Sequence, residues 1–218
     1  MKLPLYIALL FSLLSCQPHE NSKQAESPNP AAPVADTTAA APALPAPPDS
    51  AYLIVPGGSI GRINLGMPAT ELQDIMGKAD SGDAAMGKSL QFWLSKDTQK
   101  PRQYVAIYTV NDFDGSGSPP EVRQVQVTSP DFRTGSGVGP GSTLAAIREQ
   151  FRQLEPLAYY TNEAGRQVYI YDAQAQGIAF EVTVPDSIST AVTIHTKGAD
   201  VTDTYLPIHP DMTRLRRP

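Results

Sequence analysis

The chain has 218 residues, a formal charge of −5, one cysteine and 21 prolines. A single cysteine excludes an internal disulfide, so the fold must rest on an ordinary hydrophobic core. The mild acidity offers no basic footprint for nucleic acid.

Residues 1–16 read MKLPLYIALLFSLLSC. Lys2 supplies a short positive start, and Leu3 to Leu14 form an apolar run of signal-peptide length. The run is shorter than the roughly 20 apolar residues a membrane span needs. Its end, Leu13-Leu14-Ser15-Cys16, resembles the lipobox of bacterial lipoproteins. That resemblance implies an acylated Cys16 thiol, palmitate-type chains that hold the protein on a membrane, and removal of the preceding residues. Gln17 after the cysteine matches outer-membrane sorting in the better-known lipoproteins, which suggests an envelope protein facing the periplasm or the surface. The plainer alternative is a secretory signal with an incidental cysteine.

Residues 17–50 hold eight prolines and nine alanines, with Val34 and Leu44 as the only larger aliphatics. Such a composition buries too little apolar surface to offset its ordering entropy, and it predicts a tether with polyproline character. Its reach as a flexible coil is roughly 30 Å. The globular part is expected over 51–198, followed by a polar tail over 199–218.

The stretch GVGPGSTLAAIREQF at 137–151 raises the question of a phosphate loop. A Walker-type loop needs a lysine before its Ser/Thr, and Ser142 and Thr143 have none. The dinucleotide fingerprint fails as well, because Ser142 stands where a third glycine belongs. An earlier stretch, GMPATELQDIMG at 66–77, has the same design. Setting Gly66 on Gly141 places Leu72 on Ile147 and Met76 on Phe151, an apolar i, i+4 pair in each case. Pro68 suits a first helical position, and Ser142 or Thr143 suits a cap. The 75-residue offset carries YVAIYTV at 104 onto AFEVTVP at 179, and VRQVQV at 122 onto AVTIHT at 191 after an insertion in the first unit. The glycine loop is a structural joint that occurs twice.

Each unit therefore reads as an extended lead-in segment (52–65 and 125–138), a helix near 69–76 or 143–152, and three strands. Strands that follow one another without helices between them predict an α+β fold. Two tandem units, 51–128 and 129–198, each pack a short helix on antiparallel sheet, and the sheets could form one curved surface. This arrangement resembles the β-lactamase-inhibitor-protein fold. GMPATELQDIMGK also resembles the helix motif of the small lipoprotein of the bacterial outer-membrane β-barrel assembly machine. Both resemblances imply a non-catalytic protein-binding module.

Strand alternation puts Val105, Ile107, Val168 and Ile170 on one face, under the helices, and Tyr104, Tyr108, Tyr169 and Tyr171 on the other. With Trp93, these rings are the expected site for an envelope protein or polymer. Cross-strand stabilisation, or cover by Tyr205, Leu206 and Ile208 of the tail, would explain them equally. In the insertion, Asp112, Asp114 and Ser116, followed by Gly117, match calcium-loop positions one, three, five and six. Arg123 stands where the loop's closing glutamate belongs, and ordinary hairpin loops use the same residues. No cofactor is expected unless this loop holds calcium, and a calcium-dependent adhesion module is the second reading. The third is a hydrolase using His195, against which strand alternation predicts that His195 simply points outward as a solvated residue. No nucleophile elbow or metal-binding helix motif supports a hydrolase.

Overall fold

The computed structural model describes residues 49–99, 101–111 and 117–215. Cys16, nearly all of the tether (17–48), and Asp112, Asp114 and Ser116 lie outside the described residues.

The first lead-in segment opens with a 3-10 turn (Ser50–Tyr52), where the Asp49 carboxylate accepts from the Ala51 N–H. Three short strands follow, β1 (Leu53–Val55), β2 (Ser59–Ile60) and β3 (Ile63–Asn64). The second lead-in segment supplies β8 (Arg133–Thr134), which lies parallel to β1. The two segments thus meet in a four-stranded sheet of order β3-β2-β1-β8.

Helix α1 (Ala69–Met76) starts at Pro68, whose fixed φ and missing N–H cost nothing at a helix start, and ends at Gly77 with φ 66°. Helix α2 (Leu144–Gln150) is capped by Thr143, whose hydroxyl accepts from the Ala146 N–H at 3.2 Å. Leu72 and Ile147, the residues equated by the offset, are the buried ones in their helices.

The main sheet has nine strands: β4 (Ser81–Ala85), β5 (Lys88–Leu94), β6 (Tyr104–Val110), β7 (Glu121–Val127), β9 (Glu155–Thr161), β10 (Gln167–Ala173), β11 (Ile178–Thr183), β12 (Ile188–His195) and β13 (Thr213–Arg214). Their order is β13-β9-β10-β11-β12-β7-β6-β5-β4, antiparallel throughout. Each helix is followed by four strands, and the two sets join where β7 pairs with β12, with Val127 opposite Val192 and Val125 opposite Ile194. The α+β architecture is that of two helices on one antiparallel sheet.

The sequence predicts three strands per unit, and the added ones are β4 and β9. The sequence SGDAA of β4 has no β-branched or aromatic residue, so its strand state comes from pairing with β5 across the Met86-Gly87 turn. In β9, Pro156 removes a ladder donor, and the register shifts beside it.

The main core lies on the helix side. Leu72, Ile147 and Phe151 pack over Ile107, Val125, Val127, Phe180, Val192 and Ile194. The Phe151 and Phe180 rings stand 5.3 Å apart. Each such side chain contributes about 1.5–3 kcal/mol by leaving water. The other side of the sheet is not open either. Residues 199–215, expected as a polar tail, fold across it. Val201 and Met212 cover Leu157 and Ile170, while Leu206 and Ile208 cover Leu90 and Tyr108. All six residues of β11 are buried for that reason.

The expected faces are therefore corrected in part. Val105 and Ile107 do lie under the helices, but Ile170 packs beneath the tail, and Val168 shares its face by alternation. Tyr171 and Trp93 instead pack against the helix-side core. Alternation fixes which residues of a strand share a face, not which layer that face meets. Both layers here are partly apolar, so β10 by itself does not specify the choice.

Candidate functional site

The five predicted binding residues occupy four separate places. Tyr169 and Tyr171 form a half-exposed ladder with Tyr159 on the helix side, with ring centroids 5.6 Å (Tyr159–Tyr169) and 6.3 Å (Tyr169–Tyr171) apart. The Arg148 guanidinium of α2 sits 5.6 Å from the Tyr171 ring centre. Trp93 lies beside the end of α1, where its indole N–H donates to the Gly77 carbonyl at 3.2 Å. Tyr108 is buried under the tail, and its hydroxyl accepts from the Tyr205 N–H at 3.2 Å. A single aromatic strip opposite the helices does not exist.

Tyr104 alone faces an open groove on the tail side. The groove encloses about 780 Å3. Its lining includes Tyr104, Tyr160, Val168 and Ala191, together with Pro101, Pro130, Pro140 and the 162–164 turn. The strands dictate this arrangement. Tyr104 opens β6, Tyr160 lies near the end of β9, and Ala191 on β12 lies between them in the strand order. Small residues at the centre leave the space that the two rings flank.

A polar network anchors both rings from below. The Tyr104 hydroxyl donates to Gln126 Oε1 at 2.7 Å, and Gln126 Nε2 donates to Glu181 Oε1 at 2.8 Å and to Thr193 Oγ1 at 3.0 Å. The Tyr160 hydroxyl donates to Glu181 Oε2 at 2.7 Å. His209 of the tail brings Nε2 within 3.0 Å of Glu181 Oε1, and its ring stacks on Tyr160 at 3.6 Å. Burial pushes the Glu181 carboxyl up. The hydrogen bond and charge of His209, with the Tyr160 and Gln126 donors, outweigh burial and hold it below its ordinary range. Burial first, then the Glu181 charge, pushes both Tyr104 and Tyr160 far above the ordinary phenol range. Both rings therefore act as fixed hydrogen-bond donors with apolar faces, not as phenolates. No buried side-chain nitrogen or oxygen among the described residues lacks a partner. A rigid, satisfied base under an open apolar groove can hold a ligand without rearranging.

His195, expected in solvent, is 1 % exposed. Its Nε2 meets Asp172 Oδ1 at 2.9 Å and its Nδ1 meets the Thr196 carbonyl at 3.0 Å, so both ring nitrogens are engaged. Asp172 also accepts from the Val201 N–H at 3.3 Å, which ties the pair to the tail. The outward, solvated orientation expected for His195 is thereby corrected.

Tyr160, Gln126, Glu181 and His209 are not among the residues that sequence patterns single out. The one signal is Glu181 inside the aliphatic run AFEVTV, where a solvated strand face would be the usual reading. The glycine loop is the joint that the repeat indicates. Arg133 donates to the carbonyls of Phe132 and Pro140, and the Ser142 hydroxyl accepts from the Gly139 N–H at 3.0 Å.

No family model, no curated protein and no solved structure matches the chain.

Proposed function

We propose that the protein is a lipid-anchored module of the bacterial cell envelope that binds another protein or an envelope polymer without catalysing a reaction. The anchor is the acylated Cys16, and the 17–50 segment carries the globular part away from an outer membrane. The observation that carries the reading is the open groove between Tyr104 and Tyr160. Its rings are locked by hydrogen bonds to Gln126 and Glu181, so they enter binding with little conformational entropy left to lose. Rigid tyrosines in a largely apolar groove are common anchors of an interface.

The test uses a charge and bulk placed at the rim. Ala164 is exposed in the 162–165 turn beside the groove, so Ala164→Arg fills the mouth without touching the core. The full lipidated chain should recover its partner from crosslinked cells, and the variant should lose that partner at an unchanged melting temperature. Equal recovery by both would sink the groove as the binding site.

A further inference from the structure

We infer that the protein carries a second binding site, for neutral saccharide, in the cleft between the end of α1 and strands β4 to β6. This site lies apart from the Tyr104–Tyr160 groove, and its test is independent of that reading. The cleft encloses about 640 Å3, within the size range of small-ligand sites.

Its chemistry is unlike that of the tyrosine groove. Trp93 is the aromatic in the lining, and the walls carry Gln73, Lys78, Asp80 and Gln91. Trp93 and Asp80 are fixed in advance. The Trp93 indole N–H is held by the Gly77 carbonyl at 3.2 Å. Asp80 is clamped against β5, its N–H on the Phe92 carbonyl at 2.9 Å and its Oδ2 accepting from the Leu94 N–H at 2.8 Å. The Gln73 and Gln91 amides and the Lys78 ammonium make no hydrogen bond to another described side chain or backbone group. Each amide thus offers both a donor and an acceptor to whatever enters.

A sugar ring fits this donor set. It has an apolar C–H face that suits the electron-rich face of an indole, and a rim of hydroxyls that both donate and accept. Planar amides and a carboxylate around one aromatic ring match those two features together. An anionic ligand would meet the Asp80 carboxylate beside Lys78 and gain no net attraction, so phosphate and nucleic acid are disfavoured. An apolar ligand would strand the polar walls without partners. An extended peptide is the rival, because among the described strands β4 ends the sheet and pairs with β5 alone. Such a strand would bind along the outer edge of β4 through its backbone and would not need the Gln91 amide.

Trp93 is the only tryptophan in the chain, so intrinsic fluorescence reports this cleft directly. The full chain in detergent micelles would be titrated with an N-acetylglucosamine tetramer, maltotetraose and a strand-length alanine-rich peptide, with calorimetry in parallel. The expected result is saturable binding of at least one oligosaccharide that shifts the Trp93 emission. Gln73→Ala and Gln91→Ala, both away from the core, should each weaken it about tenfold, the worth of one lost hydrogen bond, at unchanged melting temperature. Absence of heat and of an emission change with both sugars would overturn the proposal. So would sugar binding indifferent to both glutamine variants, or saturation by the peptide alone.

Discussion

The His209 imidazole closes on the Glu181 carboxylate, Nε2 to Oε1 at 3.0 Å, and so ties the C-terminal segment to the centre of the sheet. Glu181 is 5 % exposed, and its donors come from three different elements: Gln126 on β7, Tyr160 on β9 and His209 on the tail. Its folded-state pKa lies below the ordinary value of 4.5. In acid the unfolded chain then binds more protons than the native one at this site. The carboxylate therefore contributes stability that is fully present above about pH 4.5 and is lost as the pH falls through its folded value. Glu181→Gln should cost about 1–3 kcal/mol near neutral pH and flatten the acid limb of the stability curve. Chemical denaturation of both proteins between pH 3 and 7 checks the slope as well as the offset.

The glycine loop supports a contrast between two neighbours. Gly137 has φ +81°, and a Cβ there would meet nothing, so Gly137→Ala should cost only the left-handed strain of about 1–2 kcal/mol. A Cβ on Gly139 would collide with the Phe132 carbonyl oxygen and the Arg133 guanidinium. Gly139→Ala should therefore cost more than about 3 kcal/mol. Equal losses at the two positions would contradict the joint as described.

Core and half-exposed side chains should separate cleanly. Ile147→Ala removes a fully buried side chain of α2 and should cost about 2–5 kcal/mol. Tyr104→Ala breaks the bond to Gln126 and the edge contact with Phe92, whose ring lies 5.7 Å away, and should cost about 3–5 kcal/mol. Tyr169→Ala removes a half-exposed member of the tyrosine ladder and should cost less than about 1.5 kcal/mol. Urea midpoints on the same preparation rank the three.

Membrane attachment is tested at the other end of the chain. Cys16→Ser removes the only thiol, so the variant should move from the detergent-rich to the aqueous phase on partitioning, with an unchanged folded part. A variant that stays with the detergent would contradict a lipid anchor at that residue.

Parts of this architecture are legible in the sequence because the signals are local. Gly66 and Gly141, the starts at Pro68 and Thr143, and the pairs Leu72–Met76 and Ile147–Phe151 lie within about three turns of helix each. YVAIYTV and AFEVTV read as strands because their β-branched and aromatic content is dense. The strand β4 does not, since SGDAA is ordered by its neighbour and not by its own preference. Nor does the orientation of β10. Period-two alternation says that Tyr169 and Tyr171 share a face, but the layer above that face depends on where residues 199–215 pack. The tyrosine groove is hidden for the same reason. Tyr160 and Glu181 are 21 residues apart and Glu181 and His209 are 28 apart, and no pattern within one strand links them.

Binding through the Tyr104–Tyr160 groove is tested most directly by photocrosslinking in intact cells from chosen positions on the lipidated chain. Glu163 and Thr190 are exposed and line the groove, whereas Asp74 and Glu149 are exposed on the two helices. A photoreactive residue at each position would be activated in turn, with and without Ala164→Arg. Binding in the groove predicts discrete adducts from Glu163 and Thr190, none from Asp74 or Glu149, and loss of the groove adducts in the variant. Equal adducts from both faces, or groove adducts that survive Ala164→Arg, would contradict it.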